Sequence, residues 1–212
     1  MTFLHHEELY RSTPMLQRLA QTSIVVCGAG ALGANLLESL ARCGAQSLTV
    51  IDCDRVEERN LSTQPYFRSD VGSFKAKILA GSLYRAVGVA VNAQATELTS
   101  SNARKLLKGA DVVVDMFDNS VSRGIIKEVC LELEIPCLHA GMSPDYAEVI
   151  WNEHYRVPSD AHDDICDYPL ARNLVTLCTS LACEVLLRYV DTQVQENYTL
   201  TFADLRILPW SG

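Results

Sequence analysis

Basic residues are sparse in this chain and never gather. Lysine and arginine number 18 against 26 aspartates and glutamates in 212 residues, a net charge of −8. Such a surface lacks the Lys/Arg patch whose counterion release drives binding to DNA or RNA, so nucleic acid is not an expected partner. No uninterrupted run approaches the roughly 20 apolar residues of a membrane span, and no membrane association is expected. The stretch Met1 to Glu8 is polar and acidic, without a signal- or transit-peptide pattern, and a cytoplasmic protein is expected. There are eight cysteines but no Cys-x-x-Cys pair, which argues against a structural zinc. Several of the eight fall in predicted strands or helices, where a free thiol behaves as a small apolar residue, and a reducing compartment would keep them as thiols. Repeats and low-complexity tracts are also missing. The length suits one domain with a full core.

The pattern that is present is alternation. Residues 1–22 read as a helical lead-in broken by Pro14. Ile24-Val25-Val26-Cys27 reads as a buried strand, and Leu32, Leu36, Leu37 and Leu40 then repeat at helical spacing up to Gly44. Ser47 to Asp52 is a second strand. Arg55 to Ser73 has no period and reads as a long functional loop. Lys75 opens a helix, Val89-Ala90-Val91 begins an extended segment, and Ser100 or Ser101 caps a short helix to Leu107. Asp111 to Phe117 is a strand, Ser120 caps a helix to about Leu133, and Pro136 to Ala140 is a further strand. After Ala147 come a strand at Val149–Trp151, a charged loop from Glu153 to Asp167, a long apolar helix from Leu170 to Val190, and a strand at Tyr198–Phe202. Strands alternating with helices predict an α/β fold. Its sheet would be doubly wound and mostly parallel, Rossmann-like, with antiparallel C-terminal strands. The expected organisation is a single domain over 1–212: a lead-in over 1–22, a core over 23–145 and a C-terminal region over 146–212.

Three features of this pattern carry chemistry. Gly28-Ala29-Gly30-Ala31-Leu32-Gly33 joins a strand to a helix, which presents backbone N–H groups and a helix N-terminus to phosphate. Asp52 ends the second strand 19 residues past Gly33, where a carboxylate can bond a ribose hydroxyl. Asp54 follows it, and Asp118-Asn119 follows the later strand. In a doubly wound sheet all three fall on the same C-terminal edge, where ligands bind. A glycine loop plus acid fits NAD as well as ATP.

Two longer motifs separate those nucleotides. Asp52 to Gln64 reads D-x-D-x-V-x-x-x-N-L-x-x-Q, followed by Gly72-Ser73-Phe74-Lys75. Asp115 to Arg123 reads D-x-x-D-N-x-x-x-R. Together they resemble the adenylating ThiF/MoeB family, which includes the activating domain of ubiquitin-activating enzymes. The resemblance runs from about Arg11 to the C-terminus and implies that 23–145 is the nucleotide-binding core and 146–212 the carrier-binding and crossover region with the C-terminal strand. It implies that Gly28, Gly30 and Gly33 form the nucleotide loop and that Asp52 binds ribose. Asn60 and Lys75 would contact the triphosphate, with Asp54, Gln64 and Asn119 completing the nucleotide site. Asp118 would hold Mg²⁺. Arg11 is placed like the family's N-terminal arginine, which reaches the partner subunit's ATP in a dimer. The implied activity is Mg²⁺- and ATP-dependent adenylation of the C-terminal carboxylate of a ubiquitin-like or sulfur-carrier protein ending in Gly-Gly, by a homodimer. Cys166 stands where several members place a thioester- or persulfide-forming cysteine.

The chain departs from the family pattern twice. Thr63 occupies the position of an expected arginine, for which Arg59 and Arg68 are the candidate substitutes, and the family's four-cysteine zinc site is missing. The alternatives are a non-catalytic partner subunit and an NAD-dependent oxidoreductase, which would leave Lys75 and Asp118-Asn119 without a role. On its own residues, Arg123 reads as a solvated or ion-paired helix residue. His139 reads as a packed or hydrogen-bonded histidine. His154 and His162 with Asp160, Asp163 and Asp164 read as a solvated acidic loop rather than a metal site.

Overall fold

The computed structural model describes residues 2–158 and 170–211. The lead-in is two helices, α1 (His5–Tyr10) and α2 (Thr13–Gln21). Pro14 does not break a helix here. It sits in the first turn of α2, where its missing N–H costs nothing, and Ser12 caps that turn by accepting from Met15 N. The next elements alternate: β1 (Ser23–Cys27), α3 (Ala31–Cys43), β2 (Ser47–Ile51), α4 (Lys75–Val87), β3 (Asn92–Gln94), α5 (Ala103–Leu107), β4 (Val112–Asp115), α6 (Ser120–Glu132) and β5 (Cys137–Ser143). Then come β6 (Tyr146–Trp151), α7 (Arg172–Thr192), β7 (Tyr198–Thr201) and β8 (Arg206–Pro209).

One sheet of eight strands runs in the order β3-β2-β1-β4-β5-β6-β7-β8. The first five strands are parallel and the last three antiparallel, as the alternation predicted. Side-chain alternation assigns each strand's two faces. Ile24 and Val26 of β1, with Val112 and Val114 of β4, join the larger core that includes residues of α2, α3, α4 and α7. Val25 and Cys27, with Val113, point into the smaller core with residues of α5 and α6. Strands buried on both faces explain the unbroken apolar runs in the sequence.

α7 is the long apolar helix, and it packs against α3, α2, β5 and β6. By length and composition it would suit a membrane span, but Leu174, Val175, Cys178, Ala182, Leu186 and Val190 are buried in this fold.

Several boundaries differ from the sequence reading. The third strand begins at Asn92, beyond Val89–Val91. Asn102, not Ser100 or Ser101, precedes α5, and its side chain accepts from Thr99 N. Asn119, not Ser120, caps α6 by accepting from Ser122 N at 2.8 Å. The long loop contains two short 3₁₀ turns, Glu58–Ser62 and Arg68–Asp70. β8 was not foreseen. All four of its residues are exposed, so it offers no apolar alternation to read.

Candidate active site

The glycine loop leaves β1 through Gly28, whose φ of +102° favours glycine and whose N–H donates to Ile51 O at 2.8 Å. Gly33 lies on α3, packed against that turn. A Cβ there would sit 2.0 Å from Gly28 O, so only glycine lets the helix approach the loop. Gly30 is different. It is the N-cap of α3 with no side-chain cap, and a Cβ there would meet nothing within 4 Å. Open space in front of uncapped helix amides suits a phosphate. Buried Tyr66 braces the loop by donating from its hydroxyl to Ala29 O at 2.8 Å. Tyr66→Phe leaves that carbonyl unpaired and is expected to cost about 1–2 kcal/mol in chemical denaturation, with a weaker nucleotide affinity by calorimetry.

Asp52 connects the loop to the next strand. Its Oδ2 accepts from Ala29 N at 2.6 Å and its Oδ1 from Asp54 N at 2.7 Å. Burial pushes the carboxyl upward, while those N–H bonds and the charge of Lys75 pull it back. Lys75 is 7% exposed, its N–H donates to Asp54 O, and its Nζ reaches Asp54 Oδ2 at 3.1 Å. A lysine so buried, paired to a largely exposed aspartate, is not an ordinary helix-start residue.

The crossover loop is held from within. Asn60 Oδ1 accepts from Glu57 N at 2.8 Å, and Asn60 O accepts from the backbone of Thr63 and Gln64. Thr63 is buried, and its carbonyl accepts from Asn35 Nδ2. Gln64 is buried, with its Oε1 unpartnered among the described residues. The two arginines considered as stand-ins for Thr63 lie on the surface, Arg59 paired with Glu57 and Arg68 with Glu58.

At the end of β4, Asp118 is exposed and Asn119 caps α6, so Asn119 has a structural role whatever else it does. Arg123 corrects the sequence reading. It is neither solvated nor ion-paired on the surface; it is 7% exposed and donates to Phe117 O, Tyr155 OH and Ala140 O. Its burial depends on strands and a tyrosine far along the chain, which helix periodicity does not reveal. His139 is buried and hydrogen-bonded, as expected.

Arg11 lies away from this edge, paired with Glu7 at 2.7 Å and with Glu184 of α7 at 2.8 Å in the same chain. Cys166, with His162, Asp160, Asp163 and Asp164, falls outside the described residues. Tyr66, Asn35, Asn152 and Tyr155 went unmarked in the sequence, since no spacing or composition signal sets them apart.

The glycine loop, Asp52, Asp54 with Lys75, and Asp118 stand at the C-terminal ends of β1, β2 and β4, which are adjacent strands. The fold has counterparts among solved structures. The fold matches E. coli MccB crystallised with MccA-N7isoASN at a TM-score of 0.83 and 17% identity, covering 97% of this chain and 69% of that one. It also matches E. coli MccB with ATP at a TM-score of 0.81. In sequence, the chain is 37% identical over 128 residues to the SAMP-activating enzyme E1 of Haloferax volcanii, covering 59% of this chain and 47% of that protein. It is 38% identical over 123 residues to a sulfur carrier protein adenylyltransferase of Thermus thermophilus, covering 57% and 45%. The chain thus spans about half the length of these curated relatives. The ThiF family model matches residues 6–204, from α1 past β7, and this establishes that the chain belongs to the ThiF family.

Proposed function

We propose that this chain is an adenylyltransferase. It joins AMP from ATP to the C-terminal carboxylate of a ubiquitin-like or sulfur-carrier protein ending in Gly-Gly. The observation that carries this reading is the grouping of Gly30, Asp52, Lys75 and Asp118 at one sheet edge, in the order of the family's motifs. A substrate carboxylate attacks the α-phosphorus, pyrophosphate leaves, and no side-chain nucleophile is needed. Negative charge grows on phosphate oxygens during attack. The α3 N-terminus and Lys75 are the groups placed to stabilise it.

Among the described residues no cluster of His, Cys, Asp or Glu forms a metal cage by itself. Mg²⁺ needs none, since it is commonly held by one or two carboxylates together with substrate phosphates. The exposed carboxylate of Asp118 fits that requirement, and bound Mg²⁺ would neutralise phosphate charge there.

The proposal extends to a homodimer in which Arg11 serves the neighbouring subunit's ATP. That role requires Arg11 to exchange Glu7 and Glu184 for phosphate. Cys166 is the proposed acceptor for any thioester or persulfide step. A second reading, a partner subunit without chemistry of its own, draws on buried Thr63 standing in place of an arginine.

ATP–pyrophosphate exchange decides between them. Exchange that requires a Gly-Gly-ended carrier, and that falls by about 100-fold or more in Asp118→Ala, is the expected result. ATP binding without exchange for any carrier would favour the partner-subunit reading. Failure to bind ATP would overturn the adenylation reading and return the choice to NAD.

A further inference from the structure

A polar cluster lies beneath Asp118 that the nucleotide loop does not use. Asp115 and His139 are wholly buried, and His139 Nδ1 lies 2.8 Å from Asp115 Oδ2. The other ring nitrogen lies 2.8 Å from Asn152 Oδ1. Asn152 Nδ2 donates to Lys127 O, which fixes the amide's orientation and turns its oxygen toward the imidazole. Both ring nitrogens therefore face acceptors. Tyr155 stacks on the ring at 3.8 Å between centroids and 9° between planes. The imidazole is held at both edges and on one face.

The hold is passed on. Asp115 Oδ1 accepts the N–H of Phe117 at 3.1 Å. Arg123 donates through Nη1 to Tyr155 OH, through Nη2 to Ala140 O, and through Nε to Phe117 O at 2.6 Å. The N–H and C=O of Phe117 are thus both fixed by buried charged side chains, and the next residue is Asp118. Because the Asp118 side chain is exposed, the backbone beneath it sets where its carboxylate points.

We propose that His139 is a positioning residue for Asp118, acting through Asp115 and the Phe117 backbone. This rests on the reading of Asp118 as the carboxylate that meets Mg²⁺-nucleotide. Outer partners of a metal-binding carboxylate set its aim, and their loss typically costs 10- to 100-fold in metal affinity or activity.

The test compares wild type with His139→Phe, which keeps the ring and the stack but removes both hydrogen bonds, and His139→Asn, which returns an amide donor toward Asp115. Calorimetric binding of Mg²⁺·ATP and of ATP with chelator is measured beside exchange. His139→Phe is expected to weaken Mg²⁺·ATP binding about tenfold and leave metal-free ATP binding unchanged, with His139→Asn restoring most of the loss. If His139→Phe does not fold, Asn152→Ala carries the same expectation at a few-fold, since it cuts only the far hydrogen bond. Unchanged Mg²⁺·ATP affinity, or an equal loss with and without Mg²⁺, would overturn the proposal. Should wild type bind Mg²⁺·ATP without exchange while His139→Phe weakens that binding, the positioning role stands and the adenylation reading falls.

Discussion

Gly33→Ala is expected to abolish nucleotide binding and to destabilise the fold by about 3 kcal/mol or more, the upper end of what overpacking costs. The new methyl would sit 2.0 Å from Gly28 O, a backbone atom that cannot swing away as a side-chain end can. Relief requires α3 to lift off the loop. That lift would disturb Gly28, itself only 3.0 Å at its missing Cβ from Met116 O, and the bond from Ala29 N to Asp52. Gly30→Ala is the matched control. Its φ is ordinary, its surroundings are empty, and exchanging Gly for Ala at an N-cap costs about 1 kcal/mol or less. It should fold nearly as well as wild type yet bind nucleotide poorly, because the methyl occupies the space in front of the α3 amides. Urea denaturation and nucleotide calorimetry on both variants give the answer. If Gly30→Ala binds nucleotide normally, the phosphate does not approach there.

Lys75→Met is expected to lower exchange by about 100- to 1,000-fold, the range seen when one preorganised donor to a developing oxyanion is removed. Stability should change little. The pair with Asp54 has one largely exposed partner, and such pairs contribute about 1 kcal/mol at most. Methionine also keeps the buried stem's volume. The combination is diagnostic, because a general weakening of the fold would lower stability and activity together. Lys75→Met with exchange within a few-fold of wild type would remove it from the chemistry.

The parts of this molecule that could be read from sequence are those fixed by local rules. Gly28, Gly30 and Gly33 punctuate a strand and a helix. The run Val112-Val113-Val114 is buried on both faces, and its apolar continuity shows it. Asp52 and Asp118 fall at strand ends, where the topology itself gathers ligands. The parts that were not legible depend on distant partners. Arg123 sits at a polar position of an ordinary-looking helix, and only Ala140 and Tyr155 make it a buried cross-link. β8 follows Leu205 at a φ of +54° and pairs with β7, and all four of its residues are exposed, so they carry no pattern. Tyr66 braces Ala29 from 37 residues away, with nothing nearby to mark it.

The packing of α7 against α3 has a consequence for how the chain is made. A ribosome delivers residues in order, so every strand of the parallel half emerges before the helix that covers α3. Until Thr192 has left the exit tunnel, the side of α3 that packs on α7 stays uncovered. Domains finish folding when their last core element arrives, and exposed apolar surface invites association in the meantime. For this chain the waiting interval is set by about 150 residues of further synthesis after α3. A newborn chain therefore cannot complete this core early, and translation speed through that interval bears on how much of it reaches the native state.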